Sequence, residues 1–400
     1  MTRARIDGDV LLLGTGAVGG VIARHLVTHP AVRRLTLADR DTPRAEGLAR
    51  ALAARAGSSG QGDRVGVAAF DAADPRALKT ALEGRALVVN AVLPRFNGSI
   101  MDAALAAGCA YLDLAGGEED QLLRHDAWAR AGCAAIHAMG EDPGISNVLA
   151  RRGADLLDQV ETVRVRDGEF SESDDLPLAC LFSTETFLEE AVSPSRVFEN
   201  GAYRDLPPWS GREIYTFPPP VGAQPIYFMA HEEVDTLPRL IGKGVRQVDF
   251  KLAIPDEMQR QIAFLDRIGM TRRDAVRVDG AAVRPLALLA AVLPQPADLG
   301  GRVRGAAIVL VEVEGRKGGR RMRHVFHAVM THDEAFRRHQ ATATAWLTGT
   351  GGAAGALALL GGRVPGPGVW SPEQLDPGPV LGLLAELGLL VVERTETLPG

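Results

Sequence analysis

Cysteine is scarce in this 400-residue sequence, which contains only Cys109, Cys133 and Cys180. These positions match no metal-ligand spacing and no even-numbered disulfide framework, so we expect small buried thiols in a reducing compartment. An excess of basic residues is absent as well. The formal net charge is −6, which argues against a nucleic-acid-binding protein.

Long apolar runs are also missing. No uncharged run approaches the roughly 18 residues that a membrane span requires. The first ten residues, MTRARIDGDV, contain no apolar core of a secretory signal. We therefore expect a cytoplasmic protein with neither a membrane nor a nucleic acid as partner.

Short apolar runs are present, and they alternate with helical stretches over the first 140 residues. Apolar strands separated by helices pair in parallel and are covered on both faces. The pattern predicts an α/β domain of the Rossmann type, a doubly wound parallel sheet, over residues 1–147. The runs are VLLL (10–13), LTLAD (35–39), RVGVAAFD (64–71), ALVVNAV (86–92), AYLDLA (110–115) and AAIHAM (134–139).

The strand pattern changes after about residue 157. Longer runs with alternating apolar and polar residues, such as ETVRVRDGEF, GVRQVDFKLAI and AAIVLVEVEG, are typical of a half-exposed antiparallel sheet. We expect an inserted α+β substrate domain with a largely antiparallel sheet over residues 148–335. A helical C-terminal segment, 336–400, should pack back on the first domain. The Pro-rich stretch 205–225 is predicted to contain no regular element.

Three glycines, Gly14, Gly16 and Gly19, follow the first strand with the spacing G-x-G-x-x-G. The first allows a tight turn, the second lets the backbone approach a pyrophosphate, and the third lets the helix pack close to the strand. The N–H groups of Ala17 and Val18 would then face the phosphates. The motif predicts a dinucleotide site.

The choice of dinucleotide depends on the end of the second strand. Asp39, 20 positions after Gly19, would accept hydrogen bonds from ribose hydroxyls and repel a 2′-phosphate, which favours NAD. Arg40 directly follows and can pair with that phosphate, so NADP stays possible. Asp71 would contact the adenine amino group or cap a helix, and Asn90 and Ala91 would lie near the nicotinamide ribose.

A second glycine-rich run, TGTGGAAGALALLGG (348–362), also precedes helical sequence. No apolar strand leads into it and no acidic partner follows at the right distance. Close helix packing is therefore the expected role of these glycines.

The segment MGEDPGISN (139–147) follows an apolar strand and begins a helix. Pro143 near a helix start, followed by free N–H groups, predicts an anion pocket suited to a substrate carboxylate. Asp142 or Glu141 would bind an amine or transfer a proton, and the alternative is a helix cap without chemistry. Asp113 ends the preceding strand. There it either faces the crevice as a site residue or forms structural, capping hydrogen bonds.

These segments resemble the saccharopine dehydrogenase-like family, which includes saccharopine reductase, lysine 6-dehydrogenase and carboxynorspermidine synthase. The resemblance rests on LLLGTGAVGG, VVNAVLP, YLDLAG and MGEDPGISNVLA, and it continues through ETFLEEAVSPSRVFENGAYRDLPPWSGREIYTFPPPVG, AHEEVDTLPRLI and TGTGGAAGALALLGGRVPGPGVWSPEQL. It implies an NAD(P)-dependent oxidoreductase that acts on the C–N bond of an amino acid or amine.

Within the family, a lysine 6-dehydrogenase-like or saccharopine dehydrogenase-like activity is expected. The alternatives are a carboxynorspermidine synthase-like reductase, which joins a polyamine to an amino-acid aldehyde, and a non-catalytic dinucleotide-binding sensor. The family pattern has a Tyr-Pro-Gly-His stretch after the segment that matches AHEEVDTLPRLI. This chain has QVDFKLAIPDEM there instead, which suggests a divergent, biosynthetic member of the family.

The resemblance also places His231 and Glu233 at the family's H-x-E position. It implies that they supply acid–base chemistry or contact the substrate, while the alternative is a loop-packing hydrogen bond. Glu189, Arg246 and Lys251 are weaker candidates for binding the amine and carboxylate of a small-molecule substrate. For Arg246 and Lys251 the alternative is a solvated strand face. The exposed antiparallel sheet would suit a homodimer interface.

A metal site is not expected. The segment RHVFHAVMTHDEAFRRH contains four histidines, but residues three apart on a strand point to opposite faces, so His324 and His327 cannot reach one ion.

Overall fold

The computed structural model describes residues 8–57, 64–116, 120–176 and 178–399. Most of the first ten residues, for which no secretory signal is expected, therefore lies outside the described residues. The chain divides into two compact units. One comprises Met1–Arg152 with Trp346–Val391, and the other comprises Gly153–Ala345 with Val392–Gly400. Among the described residues, no helix combines the length and the apolar character needed to cross a bilayer.

The strands, in chain order, are β1 (Asp9–Leu13), β2 (Arg34–Asp39), β3 (Val65–Ala69), β4 (Leu87–Asn90), β5 (Ala110–Asp113), β6 (Ala134–Ile136), β7 (Gln159–Glu172), β8 (Ser195–Glu199), β9 (Ala202–Leu206), β10 (Glu213–Thr216), β11 (Ala223–Phe228), β12 (Gln247–Ala253), β13 (Val276–Val278), β14 (Ala281–Val283), β15 (Arg304–Lys317), β16 (Arg320–Thr331), β17 (Gly368–Trp370) and β18 (Val392–Thr397).

The helices are α1 (Ala17–Leu26), α2 (Thr42–Gly57), α3 (Pro75–Leu82), α4 (Asn97–Ala106), α5 (His125–Arg130), α6 (Ile145–Asp155), α7 (Thr184–Val192), α8 (Glu233–Leu240), α9 (Asp256–Arg267), α10 (Pro285–Val292), α11 (His332–His339), α12 (Ala343–Leu360) and α13 (Pro377–Glu386).

The first unit is built on a parallel sheet in the order β17-β6-β5-β4-β1-β2-β3. Residues 10–13 of β1 are at most 1% exposed, as expected of a central strand covered on both faces. Burying each such side chain contributes about 1.5–3 kcal/mol to folding. The strand order reverses between β1 and β4, which opens a crevice at the carboxyl ends of the strands. The predicted doubly wound fold is confirmed.

Helix α12 packs tightly in the first unit through its glycines. A Cβ on Gly349 would lie 2.6 Å from Cβ of Val21 in α1, and one on Gly352 would lie 2.5 Å from Cδ2 of Leu114. Only hydrogen fits at these contacts. The structure confirms that the second glycine-rich run serves helix packing.

The second unit contains a mixed sheet in the order β10-β11-β12-β7-β15-β16-β18, with β8 beside β12 and β9 beside β8. The β7–β12 pair is parallel, and the other pairs of this sheet are antiparallel. The sheet is therefore largely antiparallel, as predicted.

Two expectations for this unit need correction. The Pro-rich stretch 205–225 contains β10 and the start of β11, so the prediction of no regular element was wrong. Its three consecutive prolines form the connection between these strands, where the N–H of Phe217 donates to the carbonyl of Gly222. The last segment is not wholly helical either, because β18 pairs with β16. The boundaries at residues 147 and 335 stay predictions.

Candidate active site

The glycine-rich loop between β1 and α1 has the geometry that a dinucleotide requires. Gly14 has φ +90°, and a Cβ on Gly19 would lie 2.0 Å from the carbonyl oxygen of Gly14. Helix α1 has no side-chain N-cap and no acidic residue in its first turn. A Cβ on Gly16 would meet no atom within 4 Å, so the space beside this backbone is open to a pyrophosphate. The loop fits the cofactor.

Asp39 is held beside that loop. Its Oδ2 accepts hydrogen bonds from the N–H and the Oγ1 hydroxyl of Thr15, both at 2.7 Å, and its Oδ1 accepts from the N–H of Asp41 at 2.9 Å. Burial would raise the pKa of Asp39, but these hydrogen bonds and the charge of Arg44 outweigh it and lower the pKa. The carboxylate is therefore ionised, held in a fixed orientation and able to accept hydrogen bonds from ribose hydroxyls.

The neighbouring adenosine candidates are less constrained. Arg40 is exposed directly after β2. Asp71 is also exposed, and its Oδ1 accepts from the N–H of Ala73 at 2.9 Å. Asp74, not Asp71, caps α3 by accepting from the N–H of Arg76. The adenine contact of Asp71 therefore stays a prediction, while the capping alternative belongs to Asp74.

Asn90 organises the end of β4. Its buried amide nitrogen donates to Asn97 Oδ1 at 2.8 Å and to the Tyr111 hydroxyl at 3.1 Å, and its Oδ1 accepts from the N–H of Val92 at 3.1 Å. The N–H of Ala91 donates to the carbonyl of Leu13. The side chain of Asn90 thus shapes the crevice wall, and sequence reasoning missed its partners Asn97 and Tyr111.

Replacing Asp39 by Asn should weaken NADH binding about tenfold, because the charged acceptor for the ribose is lost. Binding of NADPH relative to NADH should improve, since the repulsion of a 2′-phosphate is removed. Titration of the fluorescence of the reduced nicotinamide measures both affinities. Asp41→Asn is the matched control, because the Asp41 backbone N–H that orients Asp39 is kept. Unchanged NADH affinity in Asp39→Asn would place the ribose elsewhere.

Asp113 is 1% exposed at the end of β5. Its Oδ2 accepts from the Tyr111 hydroxyl and from Gln121 Nε2, both at 2.7 Å, and its Oδ1 accepts from the N–H of Ala138 at 2.5 Å. Burial and the Asp113 charge hold the pKa of Tyr111 well above its usual range, so this hydroxyl remains a donor. These contacts support the structural alternative for Asp113.

The loop before α6 folds on itself. The N–H groups of Gly144, Ile145 and Ser146 donate to Asn147 Oδ1, to the carbonyl of Gly140 and to the carbonyl of Glu141 respectively. The anion pocket predicted at these groups is therefore wrong, because their donors are already used. Asp142, in the same loop, is partly buried.

Sequence reasoning also missed a set of buried polar partners around Asn147. Its amide nitrogen donates to Glu373 Oε2 at 3.1 Å, and the same carboxylate oxygen accepts from the Ser371 hydroxyl. These contacts tie the start of α6 to the segment that follows β17.

In the second unit, His231 and Glu233 form a direct pair. His231 Nδ1 lies 2.5 Å from Glu233 Oε2, and the imidazole stacks on the Phe250 ring at 3.8 Å between centroids and 7° between planes. The Glu233 side chain is fully buried, and that of His231 is 10% exposed. The predicted imidazole–carboxylate pair is therefore present, held from one side by β12 and from the other by the start of α8.

The protonation state of His231 follows from its surroundings. Burial would lower its pKa, but the carboxylate of Glu233, followed by those of Glu232 and Glu190, raises the pKa well above 6.5. Nδ1 carries the hydrogen donated to Glu233, which leaves Nε2 to deliver or receive a proton. At neutral pH the ring is an imidazolium able to act as a general acid.

Two of the other candidates in this unit, Lys251 and Glu189, have structural partners. Lys251 Nζ donates to Glu213 Oε1 at 2.7 Å and to the carbonyl of Gly211, and Glu189 pairs with Arg273 at 3.0 Å. Arg246 is exposed.

Potential metal ligands occur around His231. Its ring, Glu232 and Glu233 place ligand atoms within 4.8 Å of one another. The 2.5 Å approach of His231 Nδ1 to Glu233 is that of a charge-assisted hydrogen bond. His324 lies on β16, whereas His332 begins α11. The Nδ1 atom of His324 forms a hydrogen bond with Thr395 Oγ1 at 2.9 Å. The absence of a metal stays a prediction.

Comparison with known proteins gives matches along nearly the whole chain. Residues 10–136 match the family model described as saccharopine dehydrogenase NADP binding domain, and residues 140–389 match that described as saccharopine dehydrogenase C-terminal domain. The second match alone covers more than half of the chain.

Two relatives are similar over most of their length. Carboxyaminopropylagmatine dehydrogenase of Synechocystis sp. is 28% identical over 95% of this chain and 96% of its own. Carboxynorspermidine synthase of Vibrio alginolyticus is 27% identical over 95% of each chain. Among solved structures, apo saccharopine dehydrogenase (L-Glu forming) from Saccharomyces cerevisiae has a TM-score of 0.73 at 16% identity and covers 97% of this chain and 99% of that one, which supports the fold.

Proposed function

The chain belongs to the saccharopine dehydrogenase family, and on that premise we propose that it reduces the imine between a primary amine and an amino-acid aldehyde to a secondary amine. The family match confirms the resemblance seen in the motifs. It makes the protein an NAD(P)-dependent oxidoreductase that acts on C–N bonds, with a nicotinamide dinucleotide as cofactor. Which amine and which aldehyde it joins is the proposal.

The observation that carries this proposal is the full-length similarity to two relatives whose names both describe carboxylated polyamines. It favours the carboxynorspermidine synthase-like alternative over the lysine 6-dehydrogenase-like one. The altered segment QVDFKLAIPDEM is compatible with that choice, because it departs from the saccharopine-type pattern.

The reaction needs a proton as well as a hydride. Amine and aldehyde condense to an imine with loss of water, and the imine then takes a hydride at carbon and a proton at nitrogen. Bound NAD(P)H supplies the hydride. We assign the proton to His231 Nε2, with Glu233 holding the imidazolium and Phe250 fixing its plane.

In the first unit, the glycine loop would hold the pyrophosphate and Asp39 the ribose, with Arg40, Asp71, Asn90 and Ala91 as further contacts. NAD rather than NADP is the proposed preference, because the ionised Asp39 opposes a 2′-phosphate. Asp113 would position the crevice wall rather than react, because both of its oxygens already accept hydrogen bonds. Asp142 stays a candidate for binding the amine or transferring a proton.

Spectrophotometry tests the reaction. The purified protein with NADH or NADPH is given aspartate semialdehyde together with putrescine, agmatine or lysine, and loss of absorbance of the reduced nicotinamide is followed. The expected result is oxidation of NADH or NADPH that requires both the aldehyde and the amine. Lysine or saccharopine oxidised with NAD in the absence of aldehyde would support the other family activities instead. Tight cofactor binding without turnover of any pair would leave only the sensor alternative.

Two further properties are proposed. The three cysteines are free thiols, which supports a cytoplasmic location. Ile214 is 57% exposed on the edge strand β10, which supports a homodimer through the second sheet. Analytical ultracentrifugation measures the assembly, and a monomer at all concentrations would contradict it.

A further inference from the structure

A small cleft with a cavity volume of about 30 Å³ lies on one face of the second unit's sheet, apart from His231. Apolar side chains dominate its lining, and the one carboxylate among them belongs to Glu169 of β7. The lining residues that matter here are Glu169, Ser171, Cys180, Phe182, Phe187 and Met258. An acid in such surroundings is costly to keep ionised without a partner of opposite charge.

The Glu169 carboxylate forms no ion pair within the part of the chain that the structure describes. It accepts a hydrogen bond from the neutral hydroxyl of Thr344. Burial raises its pKa to about 7, and the Thr344 hydrogen bond opposes that shift only in part. The carboxylate is therefore poised to gain from a cation supplied from outside.

Two titratable side chains of the cleft region, His332 and Cys180, are neutral. His332 Nδ1 accepts from the N–H of Ala343 at 3.0 Å, and its Nε2 donates to Ser171 Oγ at 2.8 Å. Burial lowers the pKa of His332 to about 4, so this ring carries no charge at neutral pH. Burial raises the pKa of the Cys180 thiol to about 12, so it is not a thiolate. The negative charge of the cleft is that of Glu169.

The cleft and the proposed proton donor share one face of the sheet. Val165 of β7 pairs with Phe250, on which His231 stacks. Glu169 is four residues further along β7, so it projects to the same face as Val165. Four residues of strand span about 13 Å, so a molecule that contacts both groups has to be elongated.

We propose that this cleft binds the distal cationic group, an ammonium or guanidinium, of the amine substrate whose other nitrogen forms the imine. The inference rests on the proposed function and deepens it, since it restricts the amine to diamines and related dications. Phe182 and Phe187 meet edge to face at 5.4 Å in the cleft lining and add aromatic surface for the methylene chain and the cation.

Calorimetry of amine binding to the NAD-loaded protein, without aldehyde, tests the cleft separately from the reaction. The probes are putrescine, agmatine and n-butylamine, the last matching putrescine without its second charge. Putrescine should bind the wild type about tenfold or more tightly than n-butylamine, and Glu169→Gln should abolish that difference. Glu172→Gln, an exposed acid on the same strand, should bind like the wild type.

The pH dependence gives a second readout. Below a pH of about 7 Glu169 is protonated and neutral, so putrescine affinity should rise as pH increases through that value in the wild type and stay flat in Glu169→Gln. Equal binding of putrescine to the wild type and Glu169→Gln, or no binding of either dication to the wild type, overturns the inference. Glu169-dependent binding without any oxidation of NADH rejects the proposed reaction and keeps the cleft.

Discussion

His231→Gln is expected to lower kcat for imine reduction by about 10²- to 10⁴-fold while leaving NADH affinity unchanged. Glutamine keeps a donor of similar reach but cannot release a proton. The imidazolium is the group that Glu233 and Phe250 hold in place, and its raised pKa keeps it charged at neutral pH. Steady-state rates and cofactor titration separate the two effects.

The pH profile distinguishes this role from simple packing. The proposed proton donor, the His231 imidazolium, is present below the raised pKa of His231 and is lost as the pH rises through that pKa, so kcat/KM for reduction should fall on the alkaline side. His231→Gln should lack that fall. His327→Gln, a partly buried histidine of β16, is the matched control and should retain both rate and profile. An unchanged kcat in His231→Gln would remove this residue from the mechanism.

Asp113→Asn is expected to lower the free energy of unfolding by about 3 kcal/mol, because an amide cannot replace a carboxylate that accepts on both oxygens. Its NH₂ group would face either the N–H of Ala138 or the donors of Tyr111 and Gln121, and a buried donor would lose its acceptor. Denaturant unfolding followed by circular dichroism measures the change.

The control for this variant is Asp126→Asn, which alters an exposed acid of α5 and should leave stability unchanged. A catalytic Asp113 predicts the opposite pattern, with normal stability and a lost kcat. That outcome would indicate that Asp113 takes part in the reaction and would contradict its proposed structural role.

Much of the candidate cofactor site can be predicted from the sequence, because the structural requirements of its residues are local. Gly14 and Gly19 are demanded by backbone contacts that admit no Cβ, and Asp39 ends a strand adjacent in the sheet. Similar reasoning applies to Gly349, where a lack of any preceding strand already favoured helix packing. Such features can be predicted because the residues that cause them are close together in the sequence.

The loop before α6 shows why other expectations failed. Free N–H groups after Pro143 were expected to bind an anion, but the Asn147 side chain takes the Gly144 donor and two backbone carbonyls take the others. An Asn three residues after a glycine is a local capping signal that was available in the sequence. The strands within the Pro-rich stretch were missed because its consecutive prolines turn the chain between them.

Glu169 could not be identified from sequence alone. An acid within an alternating strand is indistinguishable from a solvated one until the fold shows what covers that face. The covering elements here include Phe187 of α7 and Met258 of α9, which are remote in sequence from β7. The same holds for the stacking of His231 on Phe250, which depends on the segment before α8 lying against β12.

Transfer of deuterium from NADH labelled at the hydride position tests the central claim most directly. The labelled cofactor, aspartate semialdehyde and putrescine are incubated with the protein, and the product is analysed by mass spectrometry. The account predicts a secondary amine that carries the deuterium on the carbon of the new C–N bond. A deuterated alcohol from the aldehyde, or no labelled product with any of the three amines although cofactor binds, would contradict it.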